Sequence, residues 1–212
     1  FMCTNPCLLQ NEELIHMLKE SGLTFIEIGV QAIDEDFRIK KVKRPDSDKH
    51  IFKTAELLRK HEIYFQANHI FGLDQKDFYD REFLNKTIEY YMKLKPNRTH
   101  CFELEFLPGC EETDKALNED RISKEQYDKI HQGDSSASYN FGGSLDQIED
   151  INNKNKVFTP YIVLLEMMPF LPYSLIQKAL DSKLVFKLVR MIPHNYIILA
   201  RLMNTIKDSR DI

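Results

Sequence analysis

Tryptophan is absent, cysteine is scarce, and neither sign of charge dominates: 29 Lys and Arg stand against 33 Asp and Glu, a formal net charge of −4. So small an imbalance argues against a broad nucleic-acid-binding face. Nothing near the start resembles a secretory signal. The four cysteines, Cys3, Cys7, Cys101 and Cys110, are therefore expected to stay reduced in a cytoplasmic setting rather than to form a disulfide framework. Cys101 and Cys110 lack metal-site spacing, and a buried free thiol is the default for them. A long unbroken apolar run is also missing. Residues 157–177 come near the roughly 18 apolar residues that a spanning helix takes, but Glu166 interrupts them and Pro160, Pro169 and Pro172 break the helix. Helices packed on the rest of the fold or on a further domain are expected there, with peripheral membrane contact through this C-terminal extension as the lesser alternative.

What is present is an ordinary globular composition, 42% hydrophobic and 29% charged over 212 residues, enough for one large domain or a domain with an appendage. The first residue is Phe1, and Phe1–Thr4 reads as a strand with no lead-in, so the chain is expected to begin inside a domain. Further strands are predicted over Thr24–Val30, Ile63–Phe71 and Thr99–Leu107, where β-branched and aromatic residues concentrate. Helical patterns cover residues 12–20, 35–42, 49–60, 79–94 and 116–132, with Asn11, Asp48 and either Asp114 or Ser123 as caps. The resulting βαβαβαβ order argues for a parallel sheet with helical crossovers. Residues 134–156, rich in Ser, Gly, Asn and Asp, read as a flexible linker. Residues 157–212 read as an apolar helical extension. Its last stretch, Lys183–Ile206, carries Lys187, Arg190 and Arg201 and should kink at Pro193.

The stretch Ile63–Asp77 is the centre of the functional reading. A parallel strand that ends in a glycine turn, here Gly72, between two helices is where α/β enzymes bind ligands. Gln66, Asn68 and His69 are polar positions in it, although an ordinary strand with a few polar side chains would look the same. His69 alternates to the opposite face from Asn68 and reads as structural. Glu103 and Glu105 share a face of the predicted last strand. Facing inward they would contact a substrate; facing outward, which is favoured, they would leave Phe102, Leu104 and Phe106 to fill the core, since carboxylates are rarely buried unpaired.

Four short motifs follow one another on successive strand ends: Ile28-Gly29-Val30-Gln31-Ala32, Val42-Lys43-Arg44-Pro45, Asn68-His69-Ile70-Phe71-Gly72-Leu73 and Phe106-Leu107-Pro108-Gly109-Cys110. In this order they resemble the second half of the radical S-adenosylmethionine (radical SAM) enzymes, most of all those that carry a cobalamin-binding domain. The likeness spans about Phe1 to Gly133. It implies the C-terminal half of a partial (β/α) TIM-like barrel of parallel strands, followed by an α-helical extension. It also implies S-adenosylmethionine and a [4Fe-4S] cluster as cofactors, with cobalamin in the closest subgroup, and a 5′-deoxyadenosyl radical as the product of reductive cleavage. A reducing electron donor and a substrate, either a small molecule or of unknown class, would be the partners.

The same resemblance gives roles to particular residues. Gly29 and Gln31 would stand at the ribose or amino group of S-adenosylmethionine, and Arg44 at its carboxylate, where a guanidinium binds in bidentate fashion. Asn68 would add a polar contact, and the Gly72 turn would approach the adenine. Departures from the pattern are Ala32 in place of a serine and Gly72-Leu73-Asp74-Gln75-Lys76 in place of Gly-Leu-Pro-Gly-Glu. Taken from the residues alone, Gln31 could equally be a strand-terminal polar residue, and Arg44 a solvated member of the basic run with Lys40, Lys41 and Lys43. The cluster signature needs three cysteines, and Cys3-x3-Cys7-x2 ends in Gln10, a poor ligand for iron. Cys3 and Cys7 therefore read as strand and turn residues, and the cluster ligands are expected upstream of Phe1. Two further readings stay open: a truncated non-catalytic paralogue acting as an interaction module, and an unrelated α/β binding domain.

Overall fold

In the computed structural model, which describes residues 1–78, 80–134 and 160–182, four parallel strands stand side by side in chain order. They are β1 (Met2–Thr4), β2 (Phe25–Gln31), β3 (Tyr64–Phe71) and β4 (Arg98–Glu103). Helices fill each crossover: α1 (Glu12–Glu20), α2 (Glu35–Lys40), α3 (Asp48–Lys60) and α4 (Arg81–Leu94). The α/β architecture expected from the alternation of patterns is the one observed. Local chemistry sets the helix ends. Asn11 Oδ1 accepts the Glu13 amide, Asp34 caps α2 and Asp80 caps α4. The start of α3 differs from expectation: Asp48 is its first residue, and the cap is Ser47, which forms a reciprocal box with His50.

Two elements are shorter than the sequence suggests. β4 ends at Glu103, and only the Leu104 amide continues the ladder, to the Phe71 carbonyl at 2.8 Å. Glu105 is exposed beyond the strand; the side chain of Glu103 lies outside the described part. Phe102 is 44% exposed and Phe106 is buried, so the predicted inward row of Phe102, Leu104 and Phe106 does not form. The helix expected over 116–132 is instead α5 (Glu111–Asn118) and α6 (Lys124–Lys129), separated where Asp120 takes a φ of 53°. Ser123 caps α6 as one of the two expected caps. Asp114 lies inside α5, whose N-terminal flank is Cys110. Phe106, Ala116, Ile122 and Ile130 form a small core of their own.

The sheet has two unlike faces. Register and alternation place Ile26, Ile28, Phe65, Ala67, His69, Phe71, Thr99 and Cys101 on one face, all of them buried. Their apolar members join Ile15 of α1, Ile51, Ala55 and Leu58 of α3, and Leu84, Ile88 and Tyr91 of α4 in one core. The other face carries Cys3, Phe25, Glu27, Gly29, Tyr64, Gln66, Asn68, Ile70, Arg98, His100 and Phe102. At its N-terminal end Phe1 stacks on Phe25 and Phe25 on Tyr64, each at 5.5 Å, and towards its other end Phe102 packs edge-on to His100 at 4.5 Å.

Residues 160–167 form a further helix, α7, followed by a 3-10 turn at Met168–Phe170 and by α8 (Tyr173–Asp181). Tyr161–Leu165, Met168, Ile176 and Ala179 belong to the same core as the sheet. The described part of the extension, residues 160–182, thus packs on the sheet. No helix among the described residues is long and apolar enough to cross a membrane. Of the expected linker at 134–156, all but Asp134, which ends the short helical turn Ile130–Asp134, lies outside the described residues, as does the expected helix over Lys183–Ile206 with its kink at Pro193.

Candidate functional site

The site is built where β2 loses its regular register. Gly29 pairs with Asn68, and after a one-residue shift Gln31 pairs with His69. Gln31 takes a φ of 66°, a left-handed conformation that costs a non-glycine residue on the order of 1 kcal/mol and recurs at functional sites. That conformation swings its side chain back over Gly29. A Cβ on Gly29 would lie 2.5 Å from Gln31 Nε2 and 2.6 Å from Arg44 Nη2. Gly29 is therefore required for space: its φ is not left-handed, and the two predicted site side chains converge above its bare backbone. Arg44 Nη2 also approaches the Gly29 carbonyl at 3.4 Å.

Arg44 gets there through a buried anchor that the sequence reading missed. Arg38 is fully buried; Nε donates to the Asp46 carbonyl at 2.7 Å, Nη1 to the Ala32 carbonyl at 2.6 Å and Nη2 to Asp48 Oδ1 at 2.6 Å. These bonds bind the connection from Ala32 to Asp48 into one piece. Asp46, also fully buried, accepts the Cys7 amide on Oδ1 at 2.8 Å and stands 3.4 Å from Arg44 Nε with Oδ2. Lys40, Lys41 and Lys43 of the same basic run are exposed. Arg44 is thus drawn away from them, and the alternative of a solvated cluster member does not describe it. Nothing in the sequence marked Arg38 as the anchor, because its partners are two carbonyls and a carboxylate ten residues on.

Asn68 stands beside Gly29 on the same face. Its Oδ1 accepts from Gln66 Nε2 at 2.7 Å and its Nδ2 donates to Glu27 Oε2 at 3.3 Å. The Gly72 turn forms without the missing proline: Gly72 has a φ of 83°, and its N–H donates to Asp77 Oδ2 at 2.9 Å. Burial, helped by the neighbouring Asp74 charge, pushes the Asp77 carboxyl up to about 8, so it holds the turn as a neutral acid at neutral pH. Lys76 Nζ bridges Asp34, 3.3 Å away in the loop after β2, and Asp74 at 3.7 Å, and so ties the two strand-end loops together. His69 faces the core. Burial holds its ring well below its usual range, at about 3, and it packs edge-on to Phe71 at 4.5 Å and Tyr91 at 5.6 Å.

Of the five predicted site residues, Gly29, Gln31, Arg44 and Asn68 lie together, and Gly72 stands four positions beyond Asn68 at the end of the same strand. The cluster fits the amino-acid end of S-adenosylmethionine. Arg44 offers a guanidinium for a carboxylate, and Gln31 Oε1 is buried without a donor among the described residues, free to accept from an ammonium or hydroxyl group. An iron–sulfur cluster does not fit the cysteines present. Cys3 is exposed on β1, and Cys7 lies in the turn Pro6–Leu8, where burial raises its thiol. Gln10 Nε2 donates to the carbonyls of Pro6 and His50 and to Thr54 Oγ1. Cys3 and Cys7 are strand and turn residues, as their sequence context suggested.

No protein-family model matches the chain, and no curated protein matches it. Among solved structures the fold is similar to coproporphyrinogen III oxidase (HemN) from Escherichia coli, described as a radical SAM enzyme, at a TM-score of 0.47 and 18% identity over 64% of this chain. The chain spans about a third of that protein's length, 30% of it.

Proposed function

We propose that the polar mouth of this sheet binds S-adenosylmethionine, and that the chain is the C-terminal part of a radical SAM catalytic domain. The observation that carries this reading is the convergence of Gln31 and Arg44 over Gly29 beside Asn68, at the C-terminal ends of adjacent parallel strands. Arg44 would pair with the carboxylate, steadied by Asp46. Gln31 would accept from the ammonium or a ribose hydroxyl through Oε1, and Asn68 would donate or accept beside it. The Gly72 turn, locked by Asp77, would carry the adenine. S-adenosylmethionine supplies the radical chemistry once it is reduced; these residues bind and orient it. The cluster that would reduce it finds no ligands in Cys3, Cys7 and Gln10, so no step is assigned to them. No described residue speaks for a corrinoid, and cobalamin forms no part of the proposed activity.

The test is an amide-resolved NMR titration of the chain with S-adenosylmethionine. Saturable shifts at Gly29, Gln31, Asn68 and Gly72 are expected, with affinity at least tenfold weaker in Arg44→Ala. A titration that moves none of these residues would overturn the reading and return the interaction-module alternative. In the protein with its native N-terminus, anaerobic formation of 5′-deoxyadenosine should fall in Gln31→Ala and Arg44→Ala alike.

A further inference from the structure

Two glutamates meet this sheet, and they are held differently. Glu166, in α7, is fully buried; its Oε1 accepts the Cys101 amide at 2.9 Å and stands 3.9 Å from His100 Nδ1. It is enclosed and serves the sheet edge. Glu27 stands on the polar face of β2 and is only partly buried. It precedes Gly29 by two residues, which sets it on the same face, roughly 6.6 Å further from the mouth than the point where Gln31 and Arg44 converge.

A relay of amides fixes where the Glu27 carboxylate stands. Gln66, its partner by register, donates from Nε2 to Asn68 Oδ1 at 2.7 Å, and Asn68 donates from Nδ2 to Glu27 Oε2 at 3.3 Å. A carboxylate only accepts, so Asn68 must turn its NH2 group to Glu27 and its carbonyl to Gln66. Gln66 and Asn68 are nearly buried, at 3% and 8% exposure. That one long hydrogen bond is all that Glu27 receives among the described residues; Oε1 takes none and is not enclosed. No cation pairs with it there either. Arg98 shares its row, but it stands two strands away, roughly 10 Å at about 4.8 Å per strand. His100 lies one row nearer the mouth on β4, and Arg44 lies above Gly29 against Asp46. A carboxylate beside two nearly buried amides has lost part of its hydration and has no countercharge. An ammonium group supplies both the missing hydrogen bond and the charge.

We infer that Glu27 is a substrate-binding residue of this site and that the substrate presents a protonated amine to it. The ammonium group donates to Oε1, further from the mouth than S-adenosylmethionine, while Asn68 holds Oε2. This rests on the reading of the mouth as the cofactor site and adds to it the charge class of the second ligand. A hydroxyl group would complete the hydrogen bond but leave the carboxylate without a countercharge. Glu27 is plain in the strand pattern of β2, yet only register brings Asn68 to it, 41 positions on.

The experiment is an NMR titration of the full chain at neutral pH, read at the Glu27 amide and at the side-chain NH2 groups of Gln66 and Asn68. The probe is n-butylammonium, with butyrate and 1-butanol as controls of the same length. Saturable shifts with butylammonium are expected at all three groups, with affinity at least tenfold weaker for butanol and no binding of butyrate. Glu27→Gln, which still accepts from Asn68, should weaken butylammonium at least tenfold. Shifts that are absent at these groups, or equal for butylammonium and butyrate, would overturn the inference; the wild-type comparison decides it even where the variant does not fold. The titration is then repeated with S-adenosylmethionine at saturation. Butylammonium shifts that persist support a separate substrate, whereas their loss would give Glu27 to the cofactor's own ammonium group and overturn the substrate assignment. If S-adenosylmethionine moves neither Gly29 nor Gln31 while butylammonium still binds at Glu27, the cofactor reading falls and the amine site stands. A cofactor response without amine binding does the reverse.

Discussion

His69 and His100 stand on neighbouring strands and face opposite sides of one sheet. His69 is buried against Phe71 and Tyr91, neither ring nitrogen has a partner among the described residues, and its ring stays neutral far below the usual range. His100 is half-buried, has Glu166 at Nδ1 and shares its face with Asn68, Glu27 and Arg98. The same residue type thus serves as packing on the helix-covered face and stands among polar side chains on the other one. What differs is whether the surroundings offer a charge and a route to solvent. The face under the helices is made of apolar volume and tolerates a polar group only when that group stays uncharged. The other face is made of polar side chains that hold one another, as Gln66, Asn68 and Glu27 do.

The sharpest way to break this contrast is to delete volume on each side. Phe65→Ala, on the helix-covered face and fully buried, should cost about 3–5 kcal/mol in denaturant unfolding. Gln66→Ala, the next residue but on the polar face, should cost no more than about 1.5 kcal/mol, the range of one hydrogen bond. Equal losses would mean that the polar face is packed like a core.

Two buried titrations sharpen it, with opposite signs. Asp77 binds its proton up to about pH 8 in the fold but only to 3.8 as a free side chain. The folded chain then carries the extra proton across that window, and stability falls as pH rises through it. Asp77→Asn keeps an acceptor for the Gly72 amide and should flatten this slope in thermal melts between pH 4 and 8 (roughly the window that the shift opens). His69 runs the other way. It stays neutral to about pH 3 in the fold but titrates at 6.5 when free, so the unfolded chain binds the extra proton and stability falls as pH drops through that window. His69→Phe should remove that acid loss, and a chain whose acid limb is unchanged in this variant would place the titrating group elsewhere.

The smallest effect on stability is expected from Gly29→Ala, and it is the most informative about the site. The added methyl would have to displace Gln31 Nε2 and Arg44 Nη2, the ends of two flexible side chains. Melting should move little while affinity for S-adenosylmethionine drops tenfold or more. A large stability loss with affinity retained would make Gly29 a packing residue only.

Much of this was legible in the linear pattern, and the exceptions share a cause. The βαβαβαβ order and the caps at Asn11 and Ser123 follow from periodicity and capping chemistry within a few residues. Ser47 displaced Asp48 as a cap because His50 could complete the reciprocal box and Asp48 was taken by Arg38. β4 stopped early because Phe106 found its own small core with α5 and α6. Within the site, Gly29, Gln31, Arg44 and Asn68 could be named from their motifs, but not what holds them. Arg38, Asp46 and Asp77 act through main-chain groups, which any sequence supplies everywhere.

The sequence by itself determined the elements, their parallel order and the polar positions along each strand, because those depend on neighbours within a turn or two of the chain. Tertiary structure decided which polar positions meet. The left-handed Gln31, the arginine bent over a bare glycine and the carboxylate that crosses 65 residues to a sheet edge depend on register and packing between distant segments. Burial sets their charge states for the same reason: desolvation is a property of everything that surrounds a group, and no stretch of sequence contains it.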